Sequence, residues 1–166
     1  MQTFHFKKTS ELKRTKKELE KALNIKITIQ GRKVTIEGTS LNEYEASLVL
    51  DAINFGFSAK KALSLKNEEA LFRIINIKDF TRKKKLKDVR ARIIGREGRT
   101  RKTIENITNC DIIIKDNEIG IIADAESIEE IIASITNLIR GTKQSNTYKH
   151  LEKMNKRKNQ ENNPSA

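Results

Sequence analysis

The segment Arg92-Ile93-Ile94-Gly95-Arg96-Glu97-Gly98-Arg99-Thr100-Arg101-Lys102-Thr103-Ile104-Glu105 holds the residues best suited to bind another molecule. Two isoleucines lead into a Gly-x-x-Gly turn, and apolar spacing predicts a basic amphipathic helix directly after it. Without a Cβ at Gly95 or Gly98, a foreign backbone can approach the turn closely. The amides opening the next helix are unpaired and carry partial positive charge, which suits a phosphate. Arg92, Arg96, Arg99, Arg101 and Lys102 add full charges around the same spot. Two glycines three apart also occur in ordinary turns, where such a helix is only a solvated basic face. The sequence on either side favours the binding reading.

Catalysis finds little support elsewhere. No Ser/His/Asp, Cys/His or paired-carboxylate constellation can be assembled, and the glycine loop lacks the Gly-Lys-Ser/Thr ending of a nucleotide-binding P-loop. His5 and His150 lie near opposite ends, without a carboxylate or cysteine at ligand spacing. Cys110 is the single cysteine and sits in an apolar, strand-like run, which reads as a small buried hydrophobe. Neither an enzyme nor a metal or cofactor site is expected. Lysine and arginine total 34 against 22 aspartates and glutamates, a formal net charge of +12 that calls for a polyanionic partner. No apolar run approaches the roughly 20 residues of a membrane span, and neither a signal peptide nor a lipidation motif is recognisable. A reducing, cytoplasmic setting is expected.

The elements that position the turn occur twice. Ser10 and Gly95 are 85 positions apart, and at that offset Arg14, Thr15, Lys17, Glu20 and Asn24 meet Arg99, Thr100, Lys102, Glu105 and Asn109. All five pairs are identical, where chance at average composition supplies roughly one in such a window. Ile27, Ile29, Val34 and Ile36 meet Ile112, Ile114, Ile119 and Ile121, and Gly56 meets Gly141. Each copy reads as a helix (Thr9 to Leu23 in the first), then a hairpin of alternating residues, then a helix ended by glycine. Ser40 with Glu43, and Ser127 with Glu130, have capping-box spacing. A short helix is expected over Ser58 to Leu65, a strand over Leu71 to Ile77, and partial helix over Thr81 to Arg92. After a short basic helix from Tyr148 to Lys156, the polar stretch from Arg157 onward reads as disordered.

A β-α-α-β-β-α unit with Ile-Ile-Gly-x-x-Gly between its first two helices resembles a type I KH domain. The motif at Arg92 to Ile104 and the module from Ile112 to Gly141 carry that resemblance. With the closing Ser-Asn-Thr-Tyr-Lys-His-Leu-Glu, the chain resembles archaeal KH-domain ribosome-assembly proteins related to the eukaryotic partner-of-Nob pre-ribosomal factor. The fold expected is α+β, two tandem type I KH domains (β-α-α-β-β-α each) packed against one another. Residues 1–66 form a degenerate KH domain, 67–156 an intact one, and 157–166 a disordered basic or polar tail. In the first copy Ser10-Glu11-Leu12-Lys13 replaces the glycine loop, and Lys8 and Thr9 replace the apolar pair. Side chains at both glycine positions obstruct a close approach. That copy is expected to keep the fold, lose the grip, and support its neighbour or bind protein. Its Lys7, Lys8, Lys13, Arg14, Lys16 and Lys17 offer at most loose phosphate contacts.

The resemblance implies a non-catalytic protein that binds single-stranded small-subunit ribosomal RNA near its 3′ end during ribosome biogenesis. It also implies contact with the Nob-type endonuclease and with the alpha subunit of translation initiation factor two. KH modules clamp about four nucleotides of single strand through the glycine loop and read base edges in an adjacent groove. Carried onto this sequence, Gly95 and Gly98 admit the backbone, Arg96 and Arg99 pair with phosphates, and Arg92, Arg101 and Lys102 supply flanking charge. Glu97 sits exposed in the variable pair of the loop. Groove walls are sought among Ile93, Ile94, Ile104 and Ile112 to Ile114; most of these must be core, and Ile94 is the one expected to be partly exposed. Added contacts are expected from Lys83, Lys84, Lys85 and the region Tyr148 to Lys158. The sequence leaves two alternatives open: a protein-binding KH scaffold, and an exosome-type or regulatory module acting on other RNAs.

Overall fold

Leu12, Thr15, Leu19 and Leu23 recur at helical spacing, and all four are buried along the first helix of the computed structural model, which describes residues 1–163. Two compact units divide at Phe72 and Arg73. In the first, β1 (Gln2–His5), α1 (Ser10–Leu23), β2 (Lys26–Gln30), β3 (Lys33–Glu37), α2 (Ser40–Phe55) and α3 (Ala59–Ala62) precede a 3-10 turn at Leu63–Lys66. The sheet order is β1-β3-β2, antiparallel, with Phe4 opposite Val34 and Ile27 opposite Ile36. That register puts Val34, Ile36 and Ile27 on the buried face, against helices whose Leu19 and Leu50 are fully enclosed. Truncating a side chain so enclosed, Leu19 for example, costs about 2–5 kcal/mol.

This unit is β-α-β-β-α-α, with one helix between its first two strands where the β-α-α-β-β-α expected of each copy has two. Only Phe6 to Thr9 separate β1 from α1. Phe6 is buried and its N–H bonds the Arg32 carbonyl at 2.9 Å, so the chain turns straight into α1 with no room for a first helix. The division also falls six residues past the expected Lys66. Phe72 explains this, because its ring packs edge-on against Phe55 and Phe57 at 5.9 and 5.8 Å, within the first unit.

The second unit carries β4 (Ala70–Asn76), which starts just before the division, and a 3-10 turn at Ile77–Asp79. Then come α4 (Leu86–Ile94), a 3-10 turn at Arg96–Gly98, α5 (Arg99–Thr108), β5 (Asp111–Lys115), β6 (Glu118–Asp124), α6 (Ile128–Arg140) and α7 (Gln144–Asn162). Its sheet order, β4-β6-β5, repeats that of the first unit. Here both helices of the expected pair are present, as α4 and α5.

The repeated identities have structural causes. A carboxylate oxygen of Glu20 accepts the Ile27 N–H at 3.0 Å, and Glu105 accepts the Ile112 N–H at 3.1 Å. Asn24 and Asn109 end α1 and α5 in the left-handed region, at φ 51° and 53°, where asparagine is tolerated. Gly56 and Gly141 end α2 and α6 at φ 138° and 119°. The serine caps do not form as expected. Thr39 caps α2 by accepting the Asn42 N–H at 3.2 Å, while Glu43 accepts from Gly38 and the N-terminal amine. Ser127 makes no cap bond; its hydroxyl accepts from Lys158 at 2.9 Å, and Glu130 meets His150 at 3.0 Å.

The expected tail is also corrected. Arg157 to Asn162 are helical, not disordered, because α7 is anchored along its length. Leu151 is fully buried, Asn155 donates to the Ile107 carbonyl of α5, and Lys158 reaches Asp124 and Ser127. Pro164 to Ala166 lie outside the described residues.

Cys110 is buried, and that burial pushes its thiol up to about 11. At pH 8 its thiolate population is then on the order of 100-fold below that of an unfolded thiol. A disulfide reagent is expected to modify Cys110 only as the second unit unfolds. Rapid stoichiometric labelling of the native protein would contradict this placement.

Candidate nucleic-acid interface

α4 ends because Gly95 leaves the helical region, at φ 77° and ψ 172°. Arg96 and Glu97 then project from a tight turn, and Gly98, at φ 75° and ψ 14°, opens α5. Glu97 also has positive φ, at 57°. No side chain caps α5; the turn itself takes up its first amides, the Gly98 N–H bonding the Gly95 carbonyl at 3.2 Å and the Arg99 N–H the Arg96 carbonyl.

The two glycines serve different ends. A Cβ at Gly95 would stand 2.6 Å from the Thr100 amide nitrogen, and Thr100 is buried beneath the turn. Gly95 is therefore required by internal packing. At Gly98 the nearest atoms to such a Cβ are side-chain ends, Lys102 Cε at 3.8 Å and an Arg101 nitrogen at 3.9 Å. Of the pair expected to admit a foreign backbone, Gly98 alone presents open space.

The cations separate as well. Arg96, Arg99 and Lys102 are exposed around the turn, with Glu97 exposed between them. Arg92, expected to supply flanking charge, is instead committed internally. It donates to the Gly141 carbonyl at 2.8 Å and to the Thr142 carbonyl, closing the negative end of α6. Arg101 turns toward the strands: its Nη1 donates to Glu105 Oε1 at 2.6 Å and to the Ile112 carbonyl at 3.4 Å. The i,i+4 spacing of Arg101 and Glu105 was the available sequence signal for that pair. Nothing local pointed to the partners of Arg92, which lie 49 and 50 residues away.

A groove of ≈ 340 Å³ lies beside the turn, lined by Ile94, Arg101, Ile112, Ile113 and Ile114. Ile94, Ile113 and Ile114 are half-buried there. Ile93 and Ile104 are enclosed in the core and form no wall. Lys83, Lys84 and Lys85 are exposed ahead of α4, and Lys149, Lys153 and Lys156 are exposed along α7.

In the first unit the corresponding site is absent. α1 begins at Ser10, and the Lys13 N–H bonds the Thr9 carbonyl at 2.8 Å. Ser10 to Lys13 are thus a regular first turn, and α1 has 14 residues where α5 has 10. Regular helix stands where the second unit has its loop.

This geometry can be set beside known proteins. Residues 71–156 match the family described as the eukaryotic type KH-domain (KH-domain type I), in its PNO1 form. The chain belongs to the type I KH-domain family. Among relatives of this KH-domain protein is a KH domain-containing protein of Methanocaldococcus jannaschii, 31% identical over 145 residues. That match covers 83% of this chain and 64% of the relative. The RNA-binding protein pno1 of Drosophila pseudoobscura is 36% identical over 99 residues, 58% of this chain and 42% of the relative. The chain thus spans less than two thirds of the length of these curated relatives. A solved chain of the a/eIF2alpha-aDim2p-rRNA complex from Pyrococcus horikoshii aligns with a TM-score of 0.80 at 31% identity. It covers 93% of both chains.

Proposed function

We propose that this KH-domain protein is a non-catalytic RNA-binding factor of ribosome biogenesis, acting in the cytoplasm. Residues 67–156 form the gripping module and bind single-stranded small-subunit ribosomal RNA near its 3′ end. The observation that carries this reading is the open face at Gly98, ringed by exposed Arg96, Arg99 and Lys102 and adjoining an apolar groove. Backbone phosphates rest against the open face of Gly98, within reach of Arg96, Arg99 and Lys102, and bases lie toward Ile94 and β5. Gly95 and Arg92 hold the turn and its helix in place, and Glu97 is exposed at the loop tip. Support for the RNA comes from the Pyrococcus relative, whose structure is that of a complex with a/eIF2alpha and rRNA.

The first unit is a KH module that has lost its loop and takes a supporting or protein-binding part. Between Lys33 and Lys60 the chain contains no lysine or arginine but four carboxylates, Glu37, Glu43, Glu45 and Asp51. Leu41, Tyr44 and Leu48 are exposed on one side of α2 in this acidic stretch. Such a face repels phosphate and favours a protein. The alpha subunit of translation initiation factor two and a Nob-type endonuclease are the partners proposed.

With Arg96, Arg99 and Lys102 each neutralising one phosphate, log affinity for single-stranded RNA is expected to fall with log salt at a slope of about −2. Titration by fluorescence anisotropy measures it, and an affinity independent of salt contradicts the reading. Crosslinking in cells followed by sequencing of bound RNA tests the assignment to ribosomal RNA; recovery of messages alone would favour a regulatory role. Pull-down before and after nuclease treatment tests the order of assembly, since a protein-first scaffold survives digestion.

A further inference from the structure

Arg101 is the one cation of the basic segment that lies in the apolar groove, and its geometry is that of a reader of bases. Its side chain is 29% exposed and is held from behind. Glu105 Oε1 takes one guanidinium nitrogen at 2.6 Å, and Glu105 Oε2 is itself fixed by the Ile112 N–H at 3.1 Å. The same nitrogen reaches the Ile112 carbonyl at 3.4 Å. The second terminal nitrogen, Nη2, lies 3.9 Å from where a Cβ on Gly98 would stand, beside the open face of the turn. The guanidinium therefore bridges from strand β5 to the loop along the groove, between Ile94 and the half-buried Ile113 and Ile114. A phosphate contact needs none of this. It favours an exposed cation at the rim, as Arg96, Arg99 and Lys102 already are.

We infer that Arg101 forms a nucleobase subsite in this groove, selecting a base that presents two adjacent acceptors on one edge. Cytosine (O2 and N3) and guanine (O6 and N7) have such an edge. Adenine offers a donor beside N7, and uracil a donor at N3, so each leaves one guanidinium donor unpaired in a partly apolar site. A donor left unmade there is costly, which turns the fork into a filter. The Glu105 clamp fixes the fork before RNA arrives, so little side-chain freedom is lost on binding. Among the aligned positions, the first unit keeps Glu20 and its bond to the Ile27 N–H but has Lys16 where Arg101 stands. Lysine is a point charge without a fork, so the copy that lost its loop lacks the subsite too.

This inference rests on the RNA-binding reading above, and its test separates the two. The full chain would be titrated by anisotropy with single-stranded oligonucleotides in which each position in turn is A, C, G or U, for the wild type and for Arg101→Lys. At one position the wild type is expected to prefer C or G over A and U by about 10-fold or more. Substituting 7-deazaguanine assigns the edge where G is preferred, and loss of preference there identifies N7. Arg101→Lys is expected to bring the preferred base down to the level of the others while the salt slope stays unchanged. Glu105→Gln, which keeps an acceptor for the Ile112 N–H, is expected to weaken the preference in part; it supplies the test if Arg101→Lys fails to fold. An equal loss for all four bases would make Arg101 a phosphate contact and overturn the subsite, as would a salt slope shallower by about 0.7 with unchanged base preference in Arg101→Gln, which removes the charge that lysine keeps. A discrimination left intact by both variants would overturn it as well. If the wild type binds no oligonucleotide at any salt concentration, the RNA-binding reading itself fails.

Discussion

Replacing Arg96 and Glu97 with two aspartates is expected to lower RNA affinity by at least about 100-fold while moving the melting temperature by no more than about 2 °C. Both side chains are exposed, and neither makes a hydrogen bond or ion pair among the described residues. Their removal therefore costs the fold little. Aspartate also tolerates the positive φ of 57° at position 97, so the turn keeps its shape. For RNA the consequence is severe, because the local charge falls from zero to minus two where phosphates must approach. Anisotropy and thermal denaturation on the same preparation check the separation. A parallel loss of stability and binding would mean that the turn is a structural element only.

The two glycine-to-alanine variants are expected to fail in different ways. Gly95→Ala places a methyl group 2.6 Å from the Thr100 amide nitrogen at a φ of 77°, in a part of the turn packed on a buried residue. Strain and overpacking together are expected to cost about 2–4 kcal/mol, seen as a lower melting temperature for the second unit. Gly98→Ala meets no close neighbour and costs about 1 kcal/mol for its left-handed backbone. Its methyl group nevertheless occupies the space reserved for the RNA backbone, and affinity is expected to fall about 10-fold at nearly unchanged stability. The reverse order, with Gly98→Ala the more destabilising, would contradict the division of labour between the glycines.

Much of the second unit was legible in the sequence because it is written in short-range pattern. The β-branched run Ile112 to Ile114, the helical spacing of Ile104 and Ile107, and the glycine at 141 each fix a local conformation. The loss of the loop at Ser10 to Lys13 was legible too, because neither glycine position of the turn holds a glycine there. What escaped depends on partners distant in sequence. Arg92 and Arg96 look alike in the basic segment, yet one closes the end of α6 and the other is free. The last turns of α7 read as disordered because they carry almost no apolar side chains; their helix is held by Lys158 against residues more than 30 positions earlier. The cap at Thr39 was misplaced by a single residue, because Ser40 beside it offers the same hydroxyl and Glu43 has other donors to serve.

The central claim is that one unit grips RNA and the other does not. Ultraviolet crosslinking of the full chain to a single-stranded small-subunit ribosomal RNA fragment, with the attached peptides mapped by mass spectrometry, tests it most directly. Crosslinks are expected in the stretch from Ile94 to Ile114, with none between Lys8 and Lys17. Crosslinks concentrated on α1, or spread equally over both stretches, would contradict it.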